Sequence, residues 1–204
     1  MEIETSGGAA RACLDGDVRT ARFLLALTHG AGGGIEAPDL LAARAAALSL
    51  GGLVARVLQP YRVRGARAPG AIPKQDAAWI EVTGALRNLA PGVPFVQGGR
   101  SNGARLACRT AVATGARGVL ALAFPLHPPG KPEQSRAAEL RECGVPALVL
   151  NGARDPFGIP DAGDAHEVVV IPGETHALKG HAGIITTAIE RWLPTVLAEI
   201  PEKG

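Results

Sequence analysis

Ser101 stands in the run Gly98-Gly99-Arg100-Ser101-Asn102-Gly103, whose core reads Gly-x-Ser-x-Gly. A short apolar stretch, residues 93–97, precedes it and an Ala-rich helical stretch, 102–114, follows. Strand, tight turn and helix are the context in which a serine can be lifted above a sheet as a nucleophile. Glycine at two positions before and two after leaves room for strand and helix backbones to meet, and the serine itself is expected at positive φ. The plain alternative is a glycine-rich turn with a solvated serine. Asp155, in Asn151-Gly152-Ala153-Arg154-Asp155-Pro156-Phe157-Gly158, follows the apolar stretch 145–150 and suits the acid that orients a histidine. Asp161 and Asp164 are rivals further from the strand end, and a turn aspartate before proline is the plain reading of Asp155. His176, in Pro172-Gly173-Glu174-Thr175-His176, follows the stretch 166–171 and is the candidate general base, since histidine titrates near neutrality.

A fourth element, Thr28-His29-Gly30-Ala31-Gly32-Gly33-Gly34, follows the stretch 22–28. A glycine-rich loop there can aim backbone N–H groups at a developing oxyanion. Ala31 and Asn102 are assigned as the two donors. The loop fits neither Gly-x-Gly-x-x-Gly nor a P-loop, so a phosphate cradle is disfavoured. His29 is expected to pin the loop through backbone hydrogen bonds, and is also a candidate for contact with substrate. His127, His166 and His181 have weaker claims.

These residues need a scaffold. Strand candidates are 22–28, 53–58, 93–97, 118–124, 145–150 and 166–171, and helical stretches lie at 36–50, 74–89, 102–114, 133–143 and 177–200. Strands that are apolar throughout are buried on both faces, so regular alternation with helices predicts a mostly parallel, doubly wound α/β sheet. Alternating Ala10, Ala12 and Leu14, with Ile3 and Thr5 before them, predict an antiparallel hairpin at one edge. The last helix should show one apolar face, with Pro194 as a possible kink.

The composition narrows the function. The chain has 204 residues with 47% hydrophobic and 20% charged, and it is expected to form a single domain over 1–204. Lys plus Arg, 21, against Asp plus Glu, 19, gives +2, and aromatics are 3%, so a nucleic-acid surface is not expected. Three cysteines, Cys13, Cys108 and Cys143, without a close pair, predict free buried thiols in a reducing compartment. No basic and apolar leader opens the chain and no apolar run spans a bilayer, so a cytoplasmic protein without a membrane segment is expected.

The four motifs in this order, His-Gly-Ala-Gly-Gly, Gly-Gly-Arg-Ser-x-Gly, Asn-Gly-x-Arg-Asp-Pro-Phe-Gly and Gly-x-x-His, resemble the small lidless α/β-hydrolases related to dienelactone hydrolase. The resemblance covers nearly the whole chain and implies an α/β-hydrolase fold without a cap domain. It maps the nucleophile to Ser101, the acid to Asp155 and the base to His176. Members of that group commonly carry methionine after the serine, where this chain has Asn102, which bears on pocket shape. Dienelactone hydrolase uses a cysteine, so the serine here argues against that particular reaction.

The expected function is a serine hydrolase of small esters or thioesters, working through an acyl-enzyme without cofactor or metal on a small-molecule acyl substrate. The rival is a non-catalytic hydrolase-fold module within a larger assembly. The short segment 125–131 leaves no space for a lid, which disfavours long acyl chains. Arg64 and Arg67 in the loop 59–73, with Arg100 beside the serine, are candidates for holding a substrate anion, against the alternative of solvated or salt-bridged arginines.

Overall fold

The computed structural model describes residues 1–198. The chain opens with β1, Glu2–Ile3, and β2, Ala10–Asp15, an antiparallel pair whose second strand also runs antiparallel to β4. There follow β3, Phe23–Thr28; α1, Pro38–Ser49; β4, Gly52–Leu58; α2, Pro60–Val63; and α3, Ile72–Arg87. The second half continues with β5, Phe95–Arg100; α4, Asn102–Thr114; β6, Val119–Leu122; α5, Ala137–Arg141; β7, Ala147–Gly152; β8, Glu167–Ile171; and α6, Ala182–Leu197. All eight strands form one sheet in the order β1-β2-β4-β3-β5-β6-β7-β8, parallel from β4 to β8. This is the α/β-hydrolase fold with an antiparallel N-terminal hairpin at its edge and no separate cap domain.

The two-sided burial of the strands explains their composition. In β3, Phe23, Leu25 and Leu27 face the layer formed by α1 and α6, while Leu24 and Ala26 face α3 on the other side. All six residues of β3 are buried, so no polar alternation survives in the sequence. α1 packs on α6, and α3 packs on α4. Alanines Ala42, Ala43, Ala46 and Ala47 let α1 approach closely, and Trp192 fills the space opposite. Proline in the first turn starts α1, α2 and α3, where its missing N–H has no partner to lose, and Gly115 at φ 66° ends α4.

Several expected boundaries move. The strand expected at 93–97 runs on to Arg100, because Gly98 and Gly99 stay in register with β6 instead of turning. The helix expected at 133–143 contracts to α5, since the segment before it is held irregularly by Arg136, whose N–H donates to the Leu126 carbonyl at 2.7 Å. The last helix starts at Ala182 rather than 177, and continues past Pro194. Its expected end at 199–200 lies outside the described residues. Of the cysteines, Cys108 and Cys143 are buried, but Cys13 is exposed, because it sits on the outward face of β2, in the hairpin at one end of the sheet. Among the described residues no helix is long and apolar enough to cross a membrane.

One buried polar side chain ties β5 to two helices. Gln97, with no exposed surface, donates to the Ala107 carbonyl at 2.7 Å and to Thr110 Oγ1 at 3.1 Å. Its oxygen accepts from Trp79 Nε1 at 3.0 Å and Thr114 Oγ1 at 3.1 Å. Gln97→Leu preserves volume but strands the indole N–H and a helix carbonyl. It is expected to destabilise by about 1–3 kcal/mol, read as a lower urea midpoint at unchanged slope.

Candidate active site

Because β5 ends at Arg100 and α4 begins at Asn102, Ser101 makes the turn alone, at φ 53° and ψ −117°. A non-glycine residue there costs about 1–3 kcal/mol and persists only where its surroundings leave no alternative. The surroundings are tight. A Cβ on Gly99 would lie 2.6 Å from the Thr28 carbonyl oxygen, and one on Gly103 would lie 2.8 Å from the carbonyl oxygens of both Thr28 and His29. The end of β3 therefore presses against the turn, and the Ser101 N–H donates to Leu122 at 2.9 Å on the other side.

Ser101 Oγ lies 2.9 Å from His176 Nε2, and His176 Nδ1 lies 2.8 Å from Asp155 Oδ2. A carboxylate only accepts, so Nδ1 carries the hydrogen and Nε2 is left to accept the serine O–H. The Asp155 side chain is fully buried; Oδ1 accepts the Phe157 N–H at 2.9 Å, and Asn151 Nδ2 approaches Oδ2 at 3.4 Å. Asn151 is itself fixed by two bonds to the Phe124 backbone, which join the ends of β6 and β7 beside Asp155. The Phe157 ring lies 4.4 Å from the imidazole, centroid to centroid, and covers part of it. The rival acids are placed elsewhere: Asp164 binds Arg141 and receives the Asp161 N–H, and Asp161 is exposed.

The histidine lies in a turn six residues before α6 rather than at the helix opening. Glu174 explains why. Its carboxylate accepts N–H bonds from Lys179 at 3.1 Å and Gly180 at 2.5 Å, and Nδ1 of His181 at 2.8 Å, so the turn's donors are satisfied without a helix. Leu178, buried and at φ 45°, plugs the same turn into the core. A glutamate two residues before a histidine, with Gly180 shortly after, was the available sequence signal for this support.

The glycine loop lies against the serine: a Cβ on Gly30 would be 3.1 Å from Ser101 Cβ. His29 is fully buried, with Nε2 accepting the Gln59 N–H at 3.0 Å and Nδ1 donating to the Gly30 carbonyl at 2.8 Å. Burial holds its pKa down, which favours this neutral tautomer. Tyr61 donates to the Ala31 carbonyl at 2.9 Å, and Arg62 Nε to the Gly33 carbonyl at 2.9 Å. Burial pushes the Tyr61 phenol up to about 12, so it remains a donor. Neither the Ala31 nor the Asn102 N–H has an acceptor among the described residues. Two backbone donors are thus left open on either side of the serine.

Two of the candidate substrate contacts, His29 and Arg100, are used otherwise. His29 has both nitrogens committed inside the protein and no surface to offer. Arg100 donates through Nε to Asp39 at 2.8 Å and through Nη2 to the His176 carbonyl at 2.7 Å, bridging the start of α1 to the histidine turn. Arg64 reaches the Gly7 carbonyl of the N-terminal hairpin, and neither it nor the exposed Arg67 is hydrogen-bonded to Ser101, Asp155 or His176. The arginine of that segment which meets the glycine loop is Arg62.

Asp39 has no exposed surface, and burial pushes its carboxyl up while Arg100 opposes the shift. Removing one partner of such a pair costs far more than removing both. Arg100→Met is expected to lose about 3–5 kcal/mol in chemical denaturation, and the double change Arg100→Met with Asp39→Leu to recover most of it.

The family model described as an alpha/beta hydrolase domain matches residues 20–179. Solved structures share the fold. The protein Est1E from Butyrivibrio proteoclasticus, with ferulic acid bound, superposes with TM-score 0.78 at 17% identity, over 98% of this chain and 100% of that one. XC6422 from Xanthomonas campestris, described as a serine hydrolase without lid, gives 0.76 at 18% identity, over 98% and 95%. Dienelactone hydrolase from Anabaena variabilis gives 0.73 at 15% identity, over 97% and 96%. No curated protein sequence matches the chain. With four-fifths of its length covered by the family model and its sheet in the same fold as these enzymes, the chain belongs to the α/β-hydrolase family.

Proposed function

We propose that the protein is a serine hydrolase of the carboxylesterase or thioesterase type. The observation that carries this reading is the continuous hydrogen-bonded run from Asp155 through His176 to Ser101, with the serine on a strained turn between two open N–H donors. Ser101 Oγ attacks the acyl carbon as its proton passes to His176 Nε2. The Ala31 and Asn102 amides take the oxyanion, and Asp155 holds the imidazolium and its tautomer. The leaving group departs with the proton from His176. Water then adds to the acyl-enzyme, gives its proton to His176, and the acid is released as Ser101 regains a proton.

Ser101 is expected to be the residue labelled by a fluorophosphonate probe, located by mass mapping, and Ser101→Ala to abolish the label. Asp155→Asn should leave the fold intact and lower turnover about 10⁴-fold, while Asp161→Asn changes little. A folded wild-type protein that takes no label would favour the non-catalytic module instead.

The segment between β6 and α5 lies along the surface, tied by the His127 N–H to the Phe157 carbonyl at 3.0 Å, and does not build a cap. Without a lid there is little apolar surface to bury a chain, at about 0.8 kcal/mol per CH₂. Neutral esters should therefore show flat or falling kcat/KM beyond a few acyl carbons; a steady climb to long chains would sink the lidless-site reading.

A further inference from the structure

A cavity of about 240 Å³ lies on the α3 face of the sheet, between α2, the first turns of α3, and the turn joining β1 to β2. It is not the space directly above Ser101, yet two of its walls hold the machinery proposed there. Tyr61, on α2, grips the Ala31 carbonyl, and Gln75, on α3, accepts the Asn102 side-chain amide at 2.9 Å. One side chain, Tyr61 or Gln75, thus lies between the cavity and each of the two residues that would supply the oxyanion donors.

Its position relative to the histidine assigns it a side of the substrate. His176 and Asp155 reach Ser101 from the β7–β8 end of the sheet, whereas the cavity lies over Val57 at the end of β4, across β5 from them. The group that leaves must be near His176 Nε2, because that nitrogen protonates it. The acyl portion is then directed away from the histidine, toward β4 and the cavity.

The lining has one sign of charge. Arg64 and Lys74 are its charged residues, and no carboxylate lines it among the described residues. The two acids of α3 have partners: Asp76 is paired to Arg109, and Glu81 accepts the Ser6 N–H at 2.6 Å. Lys74 has no ion pair among the described residues, and Arg64 spends a donor on a neutral carbonyl only. At about 30 Å³ per water, the volume equals roughly eight waters, enough for an acyl arm of a few carbons with a polar end. Trp79 and Tyr61 add aromatic surface to the same lining.

We infer that this cavity is the acyl subsite and that it takes short acyl groups ending in a carboxylate, held by Arg64 and Lys74. The inference rests on the serine-hydrolase reading above, and defines its substrate as the half-ester or half-thioester of a short dicarboxylic acid. Two cations around one carboxylate give charge-assisted bonds that a neutral ester cannot use.

The test compares the p-nitrophenyl monoester of a six-carbon diacid with its methyl-capped counterpart, equal in chain length and leaving group. The wild-type ratio of kcat/KM is expected to favour the free carboxylate by about tenfold or more. Lys74→Glu and Arg64→Gln should each bring the ratio down, and together bring it to about one or below. Lys74 is exposed in the first turn of α3, where an acidic side chain suits the helix, so the folded state should tolerate the change, as thermal melting would show. Equal rates for the two esters in wild type, or a preference that survives both substitutions, would overturn the subsite. Binding of the free diacid to Ser101→Ala, followed by calorimetry, separates the two proposals. If no ester is cleaved and no probe labels Ser101 but the diacid binds and Lys74→Glu abolishes it, hydrolysis fails and the cavity stands; if esters are cleaved and the diacid does not bind, the reverse holds.

Discussion

The site depends on a backbone crossing in which β3, β5 and α4 meet with no side chains between them. Gly99 and Gly103 leave their Cβ positions to the carbonyls of Thr28 and His29. That contact forces Ser101 into the left-handed region and brings the loop after β3 against it. A methyl group at either glycine would push α4 off the end of β3, and the serine, the glycine loop and the Asn102 amide would separate together. Strain at Ser101 is thus the local consequence of close packing, and it is offset by the buried contacts of α4 with β5 and β6.

Around that crossing, polar side chains do what apolar packing cannot: they fix loops whose backbone has no secondary structure. Arg100 joins Asp39 to the histidine turn, Glu174 closes that turn on itself, Asn151 braces the acid, and His29 with Tyr61 holds the glycine loop. Each is largely buried, so each bond is made in a poorly screened setting where an unpaired group would be costly. The result is a histidine held between an acid and a hydroxyl at hydrogen-bond distance from both. It also explains why arginines near a proposed site need not touch substrate. Arg100 is consumed by structure, while Arg64 and Lys74 line a cavity with no carboxylate among the described residues to answer them.

Much of this was legible in the residues. Uninterrupted apolar stretches announced strands buried on two faces, except at β8, which ends the sheet and leaves Val170 exposed, and the alternation in the first twenty residues announced the edge hairpin. The Gly-x-Ser-x-Gly turn could be placed because its glycine spacing is a steric requirement that acts within a few residues. Asp155 and His176 were legible as strand-end residues, since a parallel sheet gathers the carboxyl ends of its strands on one side.

What the sequence by itself determined is therefore what local sterics and burial periodicity control: the α/β order, the strand cores, and the turn at Ser101. Only the tertiary structure decided between Asp155, Asp161 and Asp164, because all three follow β7 and differ in which one faces His176. It also decided that Arg100 and His29 are internal braces, that Gln97 is a buried junction, and that the last helix waits until Ala182. Several of those outcomes hinge on partners far away along the chain, such as Arg100 with His176, 76 residues apart, and no local pattern encodes which of several polar groups will find the other.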